Sequence, residues 1–299
     1  MPRRVVAIVG PTATGKSSIA LELAQLLGGE IVNADSRQIY RGMDIGTAKP
    51  SLVARQRVPH HVYDIVEPTE TYSLALYRRD AHAAFESCWS RAVLPWLVGG
   101  TGQYVWGLLE DWQVPDVAPA LALRAELQAV ADVEGVAALH DRLASVDPVA
   151  AARIDARNVR RVIRAIEVHA ITGIPISTWQ QKGTPDFAAT IFGIDVAPDE
   201  LRLRIDARVV AMFDGGFVEE VEALLARGVP PDAPSMSSIG YSQVVRFLRG
   251  DLTRDEAIAL TQRATHQFAR RQRQWFRRDD PRITWVRGAA EIEAQLASR

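Results

Sequence analysis

Apolar positions fall into two textures along the chain. Up to about residue 111, short fully apolar runs alternate with stretches of helical periodicity. "VVAIV" ends at Gly10, "EIVNADS" reads as a buried strand ending at Asp35, and "VLPWLVGG" ends at Gly99-Gly100. Between them, Ile19, Leu23, Leu26 and Leu27 recur at helical spacing, and "SLALYRRDAHAAFESCW" reads as a helix. Strands alternating with helices predict a parallel sheet with helices on its faces. Ligands of such sheets collect at the carboxyl ends of the strands, where Gly10, Asp35 and Thr101 all stand.

From Trp112 the pattern is helical without a convincing strand, and Asp147-Pro148 gives a helix-start signal. An extended pattern returns at "ATIFGIDV". The segment 112–187 is therefore expected to be an all-helical insertion, with 1–111 and 188–299 forming one α/β core. In the second half of that core, Gly215-Gly216 breaks a helical stretch. "TRDEAIALTQRATHQFARRQRQWFRRD" reads as a long helix capped by Thr253 with acids in its first turn, and "RITWV" as a last strand.

Composition narrows the class. With 47% hydrophobic and 24% charged residues the chain reads as a soluble, cytoplasmic globular protein, and no run is long enough to span a membrane. The single cysteine, Cys88, excludes a disulfide framework and a cysteine-cluster metal site, and its apolar helical setting places it in the core. His60 and His61 are adjacent in an extended segment, so they point apart and chelate poorly; both read as structural or positioning groups. Of 35 basic residues only Lys16, Lys49 and Lys182 are lysines. Arginine is thus the default cation, which favours Lys49, in "GTAKP", as a second cation near a phosphate site.

That site is announced by "GPTATGKS", residues 10–17. It has the Walker A spacing, with a strand before and a helix after. Curled backbone N–H groups and a helix N-terminus attract an anion; Lys16 would reach its terminal phosphate and the Ser17 hydroxyl would hold Mg²⁺. The pattern leaves ATP, GTP or another diphosphate open. Asp35, in "NADSRQIY", is a candidate metal-water ligand, proton acceptor or turn cap. Thr101 sets a hydroxyl on a glycine loop beside it. Two arginine stripes, Arg157, Arg160, Arg161 and Arg164 in the insertion and Arg270, Arg271, Arg273, Arg277 and Arg278 on the long helix, suit a polyanion held between them.

Taken together, "GPTATGKS", "NADSRQIYRGMDIGTAKP", "VPHHVYDI", "LVGGTGQY", "NVRRVIRAIEV", "SSIGYSQ" and "RRQRQWFRR" closely resemble the tRNA dimethylallyltransferases, in the family's order and over nearly the whole chain. The resemblance implies a P-loop NTPase-like core with a helical insertion that grips the tRNA anticodon stem-loop. It also implies Mg²⁺-dependent transfer of dimethylallyl from its pyrophosphate to the N6 amine of the adenine 3′ of the anticodon. On it, Asp35, Thr101 and Lys16 are catalytic. The pyrophosphate is held by Gly10, Pro11, Thr12, Ala13, Thr14, Gly15, Lys16, Ser17, Lys49 and Arg208. Asp35, Ser36, Arg37, Gln38 and Thr101 meet the adenine, while Arg124, Arg160, Arg161, Arg164, Arg270, Arg271, Arg273 and Arg277 meet tRNA. Gln103 and His266 depart from the usual pattern, and a monomer is expected because no dimer motif stands out.

Three rivals remain distinguishable. A P-loop small-molecule kinase would hydrolyse or transfer phosphate from ATP, yet the third strand ends in Gly-Gly without a Walker B acid. An isopentenyltransferase for free adenine nucleotides would leave the basic helices without a purpose. A catalytically idle RNA-binding protein would leave the intact "GKS" and Asp35 unexplained.

Overall fold

The computed structural model describes residues 3–179 and 181–298 and divides the chain into two compact units. Met1–Leu109 with Asp186–Arg299 forms one, and Glu110–Pro185 the other. In chain order the first stretch contains β1 (Arg4–Val9), α1 (Lys16–Leu27), β2 (Glu30–Asn33), α2 (Leu52–Arg57), β3 (His60–His61), α3 (Leu74–Ser90), β4 (Pro95–Gly99) and α4 (Gly102–Leu109). The second unit holds α5 (Leu121–Val133), α6 (Val136–Val146), α7 (Pro148–Ala151), α8 (Val159–Thr172) and α9 (Ile176–Trp179). The chain then returns with β5 (Ala188–Ile194), α10 (Pro198–Asp214), α11 (Phe217–Ala226), α12 (Tyr241–Leu248), α13 (Arg254–Trp275), β6 (Ile283–Val286) and α14 (Ala289–Ala297).

The six strands form one parallel sheet in the order β3-β2-β4-β1-β5-β6. Its central strands are unbroken apolar runs because helices cover both faces. Val6, Ile8, Ile31, Trp96, Val98, Phe192 and Ile194 meet Ala20, Leu23 and Ala24 of α1 and Ile292 of α14 in one core. Helix α1 thus turns Ala20, Leu23 and Ala24 to the sheet and leaves Leu26 60% and Leu27 43% exposed.

Other departures have local causes. The edge strand β3 stops after two residues because Val62 and Asp64 adopt positive φ, 64° and 52°, which ends extended pairing. Its His61 hydrogen-bonds Glu30 Oε2 at 2.7 Å, so an acid and Cys88 do lie near it across the sheet, although no spacing in the chain signals this. Arg91 grips both Glu30 oxygens, at 2.5 and 2.7 Å, and with His61 holds that carboxyl down at about 2 despite burial. Helix α13 starts on a Thr253–Glu256 capping box but ends at Trp275. Phe276 leaves the helix (φ −112°, ψ 87°) to bury its ring against Trp106. Arg277 and Arg278 therefore lie beyond the helix, paired with Asp279 and Asp195.

The helical unit has its own core of Leu127, Val130, Leu139, Leu143, Val162 and Ile163. A short neck closes it: Gln113 N–H donates to Gln181 O at 2.9 Å and Gly183 N–H to Glu110 O at 3.1 Å. Fully buried Glu167 on α8 accepts from Arg124 and Arg164 and from Ala120 N–H. Burial raises the Glu167 carboxyl, but these donors outweigh it and bring it down to about 2.

Candidate active site

The loops after β2, β4 and β1 emerge side by side because those strands are neighbours in the sheet. The 10–17 loop curls through Gly15 at φ 91°, a left-handed conformation that glycine adopts without strain, and delivers Lys16 as the first residue of α1. Lys16 Nζ donates to Pro11 O, folding back over its own loop. Burial lowers its pKa to about 7, with the charge of Asp35 opposing and that of Arg208 reinforcing the shift. From α10, Arg208 reaches the Thr12 hydroxyl at 3.4 Å. Burial lowers its pKa too, again against the pull of Asp35.

Asp35 stands two residues beyond β2, in a turn whose Oδ1 accepts from Arg37 N–H at 2.8 Å. What fixes it is Asn33, a fully buried residue that sequence reasoning passed over. The Asn33 Oδ1 accepts from Asp35 N–H at 2.9 Å, and its Nδ2 donates to the Asp35 and Val62 carbonyls, both at 3.0 Å. Beneath it, Tyr77 OH donates to Asn33 O at 3.0 Å and stacks on Tyr104 at 3.8 Å. Removing the side chain leaves buried donors and acceptors unpaired, at about 1–3 kcal/mol each. Asn33→Ala is therefore expected to lower the denaturation midpoint by several degrees in a thermal melt. An unchanged midpoint would show that water replaces the amide.

Thr101 joins the β4 loop to Asp35. Its N–H donates to Ala34 O at 3.1 Å, and its Oγ1 accepts from Ser36 N–H at 3.0 Å and lies 3.3 Å from Ser36 Oγ. The close approach needs Gly99, where a Cβ would fall 2.2 Å from the Ala34 backbone. A third tie runs through Gln272 of α13, which sequence reasoning passed over among the arginines of that helix. Its Oε1 accepts from Thr12 N–H at 2.7 Å and its Nε2 donates to Gly100 O at 2.8 Å.

Several expected contacts are redirected. Lys49, with a side chain 1% exposed, is held by the Tyr40 carbonyl, Asp44 and Asp64, so its charge is already met by residues outside the phosphate loop. The reason is the fold of residues 41–50: Glu220 on α11 accepts from Asp44, Ile45 and Gly46 N–H at 2.8, 2.6 and 3.2 Å, drawing the segment inward. Gln38, expected to face the adenine, gives its amide to the Thr47 and Ala48 carbonyls of that segment. Arg37 donates to Pro234 O. Arg124 and Arg164 face Glu167, and Arg277 faces Asp279. Arg160, Arg161, Arg270, Arg271 and Arg273 are exposed and form no ion pair among the described residues. His266 hydrogen-bonds Asp206 at 2.7 Å, giving α13 a link to α10. A cavity of about 470 Å³ lined by Arg41, Asp44, Lys49, Arg55 and Asp64 includes none of the phosphate-loop residues, Asp35, Thr101 or Arg208.

Residues 38–279 match the IPP transferase family and residues 3–58 the isopentenyl transferase family. The chain is 48% identical over 294 residues to the tRNA dimethylallyltransferase of Roseiflexus sp. (strain RS-1), covering 98% of this chain and 96% of that one. It resembles the solved full-length tRNA isopentenylpyrophosphate transferase of Bacillus halodurans, with 38% identity, a TM-score of 0.71, and 99% and 96% of the two chains covered. A eukaryotic dimethylallyltransferase solved acting on tRNA shares the fold, at 24% identity and a TM-score of 0.81, over 99% of this chain and 77% of that one.

Proposed function

The chain belongs to the tRNA dimethylallyltransferases, a family of IPP transferases, and from that premise we propose how its loops carry out prenyl transfer to tRNA. The donor is dimethylallyl pyrophosphate, whose diphosphate lies on Gly10, Pro11, Thr12, Ala13, Thr14, Gly15, Lys16 and Ser17. The acceptor is the N6 amine of the adenine 3′ of the anticodon, presented beside Asp35, Ser36 and Thr101. The donor C1–O bond breaks as the N6–C1 bond forms; pyrophosphate leaves with the electron pair, and an N6 proton passes to Asp35. Loop N–H groups, Lys16 and Arg208 face the negative charge as it grows on the leaving group, the kind of preorganised electrostatics that contributes most in catalysis. The observation that carries this reading is geometric: the phosphate loop at Thr12, which Arg208 also reaches, is tied through Gln272 to Gly100, and the next residue, Thr101, bonds Ala34 and Ser36 on either side of Asp35.

Mg²⁺ fits the donor set. The Ser17 hydroxyl at the start of α1 is exposed and has no protein partner among the described residues, a hard oxygen ligand of the kind Mg²⁺ takes alongside phosphates and water. Bound there, the ion would neutralise part of the pyrophosphate charge.

Among the described residues no helix is long and apolar enough to cross a membrane. A cytoplasmic monomer meeting the anticodon stem-loop completes the reading. Its phosphate contacts fall to the arginines without an internal carboxylate, Arg160, Arg161, Arg270, Arg271 and Arg273. Replacing Arg160 and Arg161, or Arg270 and Arg273, by alanine is expected to weaken tRNA binding and to flatten the slope of log K against log salt by about one for each arginine–phosphate pair removed. Filter binding over a salt series reads this, and an unchanged slope removes the phosphate role.

The direct test incubates protein and Mg²⁺ with radiolabelled dimethylallyl pyrophosphate, offering an unmodified tRNA with adenine 3′ of the anticodon and, in parallel, free AMP. Label in tRNA alone supports the reading. Label in AMP points to a free-nucleotide enzyme, and ATP consumption without label points to a kinase.

A further inference from the structure

We infer that Gln272 is a positioning residue that sets the gap between the phosphate loop and the Thr101 loop, an inference that rests on the prenyl-transfer reading above. Gln272 is 3% exposed although Arg270, Arg271, Arg273 and Gln274 around it are exposed. A side-chain amide offers an acceptor and a donor on one rigid tip. Here the acceptor takes Thr12 N–H, on the loop that meets the leaving group, and the donor holds Gly100 O, one residue before Thr101. Thr12 is held on its other side by Arg208, so its place is fixed by two helices at once.

The helix that carries the amide is itself anchored. Trp106 Nε1 on α4 donates to Trp275 O at 3.0 Å, and Gly102 lies so close to Trp275 that a Cβ would fall 2.1 Å from the indole. The end of α13 is thereby locked to the helix that follows the Thr101 loop. One short amide then fixes the distance between the groups that meet the departing oxygen and those that meet the incoming amine. A misplacement of about 1 Å in such a geometry costs roughly 10²-fold in rate.

A buried amide that only satisfies the core gives a different pattern, and three variants separate the two. Gln272→Met keeps length and volume but loses both bonds. It is expected to lower kcat by about 10²-fold, with tRNA affinity and its salt slope unchanged and the fraction of titratable active sites near one. Gln272→Glu keeps an acceptor for Thr12 but sets an oxygen against Gly100 O. Protonation of that carboxyl restores the donor, so the activity of this variant relative to wild type should rise as pH falls, a profile that a packing role does not produce.

Should Gln272→Met fail to fold, Gly100→Ala approaches the amide from the other side, since its Cβ would lie 2.3 Å from Gln272 Nε2. The same substitution should cost less in a Gln272→Ala background, where the overlap with the amide is gone and only the 3.0 Å approach to Gly10 O remains. Wild-type kcat in Gln272→Met, a fall in rate explained wholly by inactive protein, or additive effects with Gly100→Ala overturns the inference. Absence of prenyl transfer by the wild-type protein overturns the reading beneath it as well, so the two failures are told apart by the wild-type lane.

Discussion

Asp35→Ala is expected to reduce single-turnover prenyl transfer by about 10²- to 10⁴-fold, the span typical of a lost general base, while tRNA affinity changes little. The amine of adenine is a weak nucleophile because its lone pair is delocalised into the ring, and its protons become acidic only as the new bond forms. A carboxylate at that point removes the proton when it is most labile. Asp35 is suited to this because its backbone is clasped by Asn33 and its turn is closed by Arg37 N–H, and its charge raises the pKa of Lys16 and Arg208 against their burial. Asp35→Asn keeps the shape and should fall as far as alanine. Near-wild-type turnover in either variant, measured with saturating donor and tRNA, would remove Asp35 from the mechanism.

The second large effect belongs to Lys16. Burial brings its ammonium down to about 7, so near neutral pH a donor-free site holds it only partly charged. A diphosphate favours the charged form, which makes donor binding take up a proton wherever Lys16 is neutral beforehand. Above pH 7 donor affinity should therefore weaken, approaching tenfold per pH unit, and titration calorimetry at pH 8 in buffers of differing ionisation heat should show uptake of about one proton. Without donor the sign for folding is the opposite. The unfolded lysine binds its proton up to about 10.5, so stability gains from this group as pH climbs from about 7 towards that value. Lys16→Met should abolish the proton uptake and lower kcat by about 10²- to 10³-fold, as expected for a lost charge on the leaving group. A donor affinity flat between pH 6 and 9 in the wild-type protein would refute the coupling.

The parts of this picture that the sequence exposed are those encoded locally. Gly10, Asp35 and Thr101 each follow an apolar run that becomes a strand, and parallel strands aim their ends the same way, so their convergence is legible in the chain itself. The break at Gly215-Gly216 and the capping box at Thr253 are likewise carried by adjacent residues. What stayed hidden depends on partners far along the chain. Gln272 meets Thr12 across 260 residues, and Glu220 meets Asp44 across 176, with nothing near either to signal it. Lys49 misled for the same reason: charge patterning shows that a lysine is rare but not that Asp64 will claim it. The arginine stripe misled at its end because helical spacing extends a helix on paper past the residue, Phe276, whose ring leaves it for the core.

The sheet has an order of events built into its register. Strand β1 takes one flank from β4 but the other from β5, with Arg4 opposite Ala188, and the helical unit intervenes with a core and a closed neck of its own. During synthesis at about 5–20 residues per second, the first strand waits on the order of ten to forty seconds for that neighbour. The helical unit has every residue of its core available before β5 emerges. The phosphate loop, whose Thr12 is held by Arg208 and Gln272, lacks both of these partners for longer still. A ribosome-bound chain stopped before residue 188 should thus hold every residue of the helical unit's core, while Thr12 of the phosphate loop still lacks Arg208 and Gln272.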